Sequence, residues 1–343
     1  MYIENKTLNK YIRCWLVIMF CLVSIIIIVG GLTRLTDSGL SITEWELFSG
    51  IFPPMNNSQW NNYFELYKKI PEYKLQNYSM SLEEFKVIFW WEFIHRFLGR
   101  LVGIFFLVPL IFLFFKIGFN KSKSFFFIFI LICFQGFIGW YMVKSGLVDR
   151  IDVSHYRLSI HLVLAFIILS LIFWNYLNYK KIFIPKKGIK KTLPIIFLLL
   201  IFIQIAIGAF VSGMDAGKIY NSWPLMGYSY FPDDNSLKNL FSISAFNDPS
   251  LVQFMHRNIA YFILIFYLLI LFIIKKDKLL YFFKIIILIG FFLLLQIFLG
   301  ILTLLSGAQM IFASMHQISS ILLVSSSVYM IYLNSITNLQ PSD

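Results

Sequence analysis

The pentapeptide EFIHR, residues 92–96, returns as QFMHR at residues 253–257. Each copy opens a long apolar run. A bilayer-spanning helix therefore begins with an acid or amide, a histidine and an arginine, where lipid favours none of them. Outward from these two segments the chain reads as membrane protein. Of its 343 residues 59% are hydrophobic and 13% charged, and the mean hydropathy is +0.77. Runs of about 18 or more apolar residues are membrane helices. Eight are present, at 14–32, 88–115, 124–143, 158–178, 193–212, 252–274, 280–305 and 313–333. The expected fold class is an all-α polytopic membrane protein with two long loops, 33–87 and 213–251. The first run lacks a small-residue cleavage site and is expected to be a retained helix rather than a signal peptide, and an N-terminus with Glu4 and few Arg argues against a mitochondrial transit peptide.

The net charge of +12 is a topology signal. Lysines and arginines cluster before the first run (Lys6, Lys10, Arg13), after the second (Lys116, Lys121, Lys123), after the fourth (Lys180, Lys181, Lys186, Lys187, Lys190, Lys191) and after the sixth (Lys275, Lys276, Lys278). Acids such as Asp37, Glu44, Glu46, Glu72, Asp152, Asp215 and Asp234 fall on the opposite side. The positive-inside rule places both termini in the cytoplasm and the long loops in the periplasm, which identifies the inner membrane and excludes nucleic acid as a partner. Cys14, Cys21 and Cys133 lie in apolar runs and are expected as buried thiols without a disulfide.

The recurrence extends beyond the pentapeptide. Gly30, Asp37, Gly39, Trp45 and Pro54 match Gly208, Asp215, Gly217, Trp223 and Pro232 at an offset of 178. EFIHR/QFMHR and QGFIG (135–139)/QIFLG (296–300) follow at 161, and SIH (159–161)/SMH (314–316) at 155. The order is kept throughout, so the chain is a tandem repeat. The expected domains are residues 1–178, a lysine-rich cytoplasmic linker at 179–192, and residues 193–343. With an even number of helices per repeat, two four-helix bundles are related by a pseudo-twofold axis along the membrane normal.

His95, His161, His256 and His316 sit near the starts of the second, fourth, sixth and eighth runs, two per repeat. Their common depth near the outer face fits two imidazoles from facing helices holding a haem iron in each bundle. Zinc would call for more acidic or thiol ligands than Glu92 alone offers. The chain has 22 Lys and seven Arg, and Arg96, Arg100, Arg157 and Arg257 lie close to the histidines. A guanidinium fork suits a haem propionate, while headgroup contact is the alternative. Arg34 either lines the pocket or ends the first helix. His155 is expected to be an ordinary loop residue. Three polar positions close to the histidines are not kept between the repeats. Glu92, Arg100 and Arg157 correspond to Gln253, Tyr261 and Phe312, which points to chemistry in the first repeat and a redox or structural haem in the second.

The segments GGLTRLTDSGLSITEW (30–45), WWEFIHRFLGR (90–100), VSHYRLSIHL (153–162), GAFVSGMDAGKIYNSWPLMG (208–227), QFMHRNIAY (253–261) and SMHQISS (314–320) resemble those of the heme A synthase family, in the branch without a cysteine pair in the outer loops. The resemblance implies oxidation of a heme O methyl group to the formyl group of heme A by two hydroxylations with water-derived oxygen and loss of water from a geminal diol. It implies His95 and His161 at the substrate haem, Glu92 as the critical carboxylate, and a b-type haem on His256 and His316. The expected partners are heme O, an unidentified electron acceptor and the lipid bilayer; contact with the heme O-forming farnesyltransferase, with oxidase assembly factors and with a second copy of the chain is left open. A di-haem b-type electron-transfer cytochrome and a haem carrier are the alternative readings.

Overall fold

The structure, a computed structural model, describes residues 6–44, 49–180, 182, 185 and 187–337. Glu4, Trp45, Glu46, Lys181 and Lys186, used in the sequence argument, lie outside the described residues. The described chain is helical: α1 (Lys6–Leu35), α2 (Asn57–Tyr67), α3 (Pro71–Leu75), α4 (Leu82–Ile117), α5 (Phe119–Asp149), α6 (His155–Asn178), α7 (Thr192–Gly213), α8 (Leu237–Leu240), α9 (Pro249–Lys276), α10 (Leu280–Leu305) and α11 (Met310–Thr337). Eight of these are long and apolar enough to cross a membrane, namely α1, α4–α7 and α9–α11. The protein is a multi-pass membrane protein.

Helix ends are set by polar caps rather than by the ends of the apolar runs. Ser81 and Glu84 form a reciprocal capping box that starts α4 six residues before its apolar run. Asp248 caps α9, accepting from the Leu251 amide at 3.0 Å, with Pro249 at the first helical position. At 36 residues, α4 exceeds the roughly 20 that span a bilayer, so its first turns stand clear of the hydrocarbon. Cys14, Cys21 and Cys133 are free and on exposed faces of α1 and α5, not buried as expected. They face outward like the many exposed Phe, Ile and Leu side chains of these helices, where lipid rather than protein covers a thiol.

The chain gathers into two compact units. One is Cys21–Ile168; the other joins the residues up to Phe20 with those from Leu169 onward. The division falls within α1 and α6. In the second unit α7 and α10 each pack on both α9 and α11, closing a ring of four helices. The last turns of α6 join this unit: Trp174 meets the Tyr332 ring edge-on at 5.0 Å, and the Tyr332 hydroxyl donates to the Leu177 carbonyl at 3.1 Å.

The first long loop is not a plain loop. Asn56 caps α2, whose Trp60, Phe64 and Tyr67 recur at helical spacing and pack on Phe85, Ile88, Phe89 and Phe93 of α4. The result is an apolar cap over the end of α4 that carries the site. Inside it, the buried Glu72 accepts from the Tyr67 hydroxyl at 3.0 Å and from Asn77 Nδ2 at 3.4 Å. Burial pushes the Glu72 carboxyl from 4.5 up to about 8; the Tyr67 hydrogen bond opposes this, and Glu92, Asp152 and Asp37 add to it. The folded cap thus holds a proton that the unfolded chain releases. Its contribution is full below about pH 4.5 and is lost as the pH rises to about 8, a change on the order of a few kcal/mol. Protease cleavage within residues 57–80 is expected to speed up between about pH 5 and pH 8 and to level off above that, beyond the protease's own pH dependence. Glu72→Gln, which cannot ionise, should abolish that acceleration; equal acceleration in both proteins would remove Glu72 as its cause.

Candidate haem sites

Each unit brings two of the four histidines together. The His95 and His161 ring centres are 6.4 Å apart, with the planes at 63°. Those of His256 and His316 are 6.5 Å apart at 77°. His161, His256 and His316 lie roughly two turns from their helix starts, whereas His95 is roughly three and a half turns into α4. The sequence places His95 near the helix start; the cap lengthens α4 outward and changes that count.

Each imidazole rests against a glycine of the neighbouring helix. A Cβ on Gly30 would stand 2.8 Å from His95 Cε1, and one on Gly139 3.1 Å from His161 Cε1. In the second unit the figures are 3.0 Å for Gly208 and His256, and 3.1 Å for Gly300 and His316. A Cβ at Gly30 would force the ring to shift, and at the other three positions the ring would have to give by a few tenths of an ångström. Gln135 Nε2 donates to the His161 carbonyl at 2.9 Å, and Gln204 Nε2 to that of His256 at 3.0 Å. All four Nδ1 atoms are buried without a hydrogen-bond partner, while His256 Nε2 lies 3.3 Å from Gln204 Nε2.

These features fit haem. Two imidazoles that share one metal through bonds of about 2 Å hold their ring centres roughly 6 Å apart. Among the described residues no three His, Cys, Asp or Glu converge on a metal position. An ion between either pair must therefore bring its own equatorial ligands, as a porphyrin does.

The arginine of each repeated pentapeptide does the same local task. Arg96 Nη2 donates to the Ile42 carbonyl at 2.8 Å and Nη1 to that of Glu44 at 3.3 Å. Arg257 Nη2 donates to the Tyr220 carbonyl at 2.9 Å and Nη1 to that of Ser222 at 2.9 Å. Ile42 and Tyr220, like Glu44 and Ser222, are separated by the 178-residue offset of the repeat. So are Asp37 and Asp215, which both adopt the left-handed backbone, at φ 47° and 51°, a conformation aspartate tolerates better than most residues. Each arginine ties the chain that follows its preceding membrane helix to the helix that carries the histidine.

Between those shared features the two units diverge at Glu92. Its carboxylate is buried and takes four hydrogen bonds. Oε1 accepts from Arg96 Nε at 3.0 Å and Nη2 at 2.6 Å. Oε2 accepts from Ser41 Oγ at 2.7 Å and the Ile42 amide at 2.8 Å. The helix dipole does not explain a carboxylate this far into α4; Arg96 and the donors of Ser41 and Ile42 do. Gln253, equally buried, donates to the Tyr220 carbonyl at 3.2 Å, and its Oε1 and Arg257 Nε are both buried without partners. The second unit keeps the frame without the ion pair.

The remaining candidates surround the first site. Arg100 lines a pocket with Arg96, Ile42, Tyr63 and Phe93. Arg157 donates to the Ser145 hydroxyl and lies 4.7 Å over the Tyr141 ring. Arg34 is buried in the last turn of α1, 2.5 Å from the Asp37 carboxylate and 3.9 Å from that of Asp152. It closes the turn and does so facing the loop. His155 differs from expectation. It is the first residue of α6, buried, with its ring 4.3 Å from that of Tyr156. The Ser154 carbonyl already accepts from the Leu158 amide at 2.9 Å, so the polar segment before the apolar run is helical. Sequence reasoning missed Ser41, the Ile42 amide and Lys144, which lines a cavity beside Arg96.

Comparison with known proteins agrees with this picture. The family model described as COX15-CtaA, cytochrome oxidase assembly protein, matches residues 13–328. A heme A synthase of Pelagibacter ubique is 53% identical over 341 residues, covering 98% of this chain and 100% of the relative. One from Rickettsia bellii is 43% identical over 326 residues, 93% of this chain and 96% of its own. One from Parvibaculum lavamentivorans is 45% identical over 271 residues, 77% and 78% of the two chains.

Proposed function

This chain belongs to the COX15-CtaA family of cytochrome oxidase assembly proteins, and from that premise we propose that it is a heme A synthase, an oxidoreductase that acts on a C–H group of heme O. The observation that carries the chemistry is the difference between Glu92 and Gln253 within otherwise repeated surroundings. An electron-transfer protein has no use for a buried, four-fold hydrogen-bonded carboxylate at one site only.

His95 and His161 hold and orient the substrate haem between α4 and α6, with Arg96, Arg100 and Arg157 on the side toward the cap. Glu92 acts on the methyl oxidation, either taking a proton from the water that supplies the oxygen or meeting a cationic methylene carbon. Both roles need a lone pair that the resting hydrogen bonds occupy. Ser41 is the donor that can yield, because its Oγ also lies 3.4 Å from the Ile88 carbonyl. Turning the hydroxyl proton to Ile88 frees one lone pair of Oε2, while the Ile42 amide keeps the other and Arg96 keeps Oε1 in place. His256 and His316, with Arg257 behind them, would hold a b-type haem, which would supply one-electron transfer. Residues 1–178 thus serve the substrate and residues 193–343 the cofactor. The protein lies in the inner membrane with both termini cytoplasmic and the haem sites near the periplasmic face.

The test is chromatography of extracted pigment. Membranes that contain heme O and this chain, with no other heme A-forming activity, are expected to accumulate a formyl haem. Unchanged heme O beside an intact b-type spectrum would make the protein an electron-transfer cytochrome or a carrier and overturn the reading.

A further inference from the structure

Two axial histidines fix the height and plane of a porphyrin but not its rotation about the line between them. Which methyl group meets Glu92 is decided at the ring edge, where the charged groups are the propionate carboxylates. The residues available to grip that edge are fewer than the arginine count implies. Arg96 spends its donors on Glu92 and on the carbonyls of Ile42 and Glu44. Arg157 is turned to Ser145 and stacked over Tyr141.

Lys144 is different. It is exposed near the cap end of α5, its ammonium 5.0 Å from the Trp140 ring, and among the described residues no carboxylate pairs with it. With Arg96, Trp140, Val143 and Glu44 it lines a cavity of about 170 Å³. Arg96 is already paired with Glu92, so Lys144 is the cation of that wall left to meet a carboxylate, beside the single acid Glu44. That volume is enough to admit a propionate arm. Lys144 stands five residues beyond Gly139, the glycine against the His161 ring; at about 1.5 Å per residue the offset is roughly 7.5 Å, the reach of a propionate from a haem centre. By the 161-residue offset that aligns QGFIG with QIFLG, its counterpart in the second repeat is Leu305.

We propose that Lys144 binds a propionate carboxylate of the substrate in this cavity and so sets which methyl group is presented to Glu92. The proposal rests on the heme O reading of the first site. A haem that only carries electrons needs no such rotational setting, and Leu305 supplies none.

The test compares heme O with its dimethyl ester, which lacks both carboxylates, in binding titrations with detergent-solubilised protein. Lys144→Leu is expected to weaken heme O binding about tenfold, to leave ester binding unchanged, and to keep the b-type spectrum. Lys144→Arg is expected to restore most of the heme O affinity. Extracted product from Lys144→Leu should show less formyl haem and oxidation at more than one methyl position. If Lys144 only reaches headgroups, Lys144→Leu changes neither titration; if it only supports the fold, both ligands weaken equally. Either result overturns the proposal. Wild-type protein that binds heme O but never forms heme A defeats the enzymatic reading instead, and the ester comparison still reports on the anchor.

Discussion

A Glu92→Gln protein is expected to fold, to keep its b-type haem and to make no detectable heme A. The substitution is nearly equal in volume and copies Gln253. Its structural cost is local. One face of the amide accepts from one set of donors, while its NH₂ meets the other, so either Arg96 or the Ile42 amide loses its acceptor. A buried group left unpaired costs about 1–3 kcal/mol, and the second unit tolerates such a pair, since Gln253 Oε1 and Arg257 Nε are both unpartnered there. The chemical loss is larger. A positioned base or nucleophile contributes about a hundred- to ten-thousand-fold in rate, so heme O or a hydroxylated intermediate should accumulate in extracted pigment. Glu92→Asp, which keeps the charge but withdraws it from the methyl, should retain a trace of product. Normal heme A yield from Glu92→Gln, with the b-type spectrum as proof of folding, would reduce Glu92 to a brace for Arg96.

That test could be designed from sequence because the residues that matter most are ones lipid penalises. A histidine, a glutamate or an arginine within an apolar run is conspicuous, and a tandem repeat converts four such positions into two pairs. Glycines recur in the same way: Gly30 and Gly208 entered the argument as repeat markers, and only the structure shows that they, with Gly139 and Gly300, make room for imidazoles. What sequence could not show is supplied by the backbone or by the cap. The Ile42 amide donates to Glu92 because the segment after α1 turns back toward α4, and a backbone donor has no residue signature. The Ser41 hydroxyl is one of many serines until that turn is made. The cap itself was hidden because α2 and α3 are mixed in polarity and fall below any membrane threshold, yet Trp60, Phe64 and Tyr67 bury one face. The cap explains why α4 starts early. Lys144 carries no mark in the sequence; the cavity beside Arg96 distinguishes it. His155 and the cysteines were misjudged for a common reason: hydropathy marks where lipid begins, not where a helix begins or which of its faces is covered.

His256→Ala or His316→Ala is expected to remove the low-spin b-type spectrum from the purified protein. The corresponding changes at His95 and His161 should leave it in place. The second unit closes as a ring of α7, α9, α10 and α11, and the two imidazoles face each other across it at 6.5 Å. A shared iron loses one of two axial bonds when either ring is deleted, and a single imidazole converts a low-spin haem to a weakly held high-spin one or releases it. Truncation also opens space, because each ring fills the notch left by Gly208 or Gly300. That space provides a control for misfolding. Free imidazole at millimolar concentration is the size of the missing ring and should restore a low-spin spectrum to His256→Ala and His316→Ala. A bulky side chain at the notch, as in Gly208→Leu or Gly300→Leu, should remove the spectrum by displacing the histidine, and imidazole should not rescue it. Heme A formation should fall with the b-type haem even though Glu92, His95 and His161 are untouched, because oxidation of the methyl group leaves electrons with no route out of the substrate site. Full retention of the b-type spectrum in both alanine variants would move that haem out of the second unit. Loss of the spectrum with continued heme A formation would leave the haem bound there but remove it from the electron path.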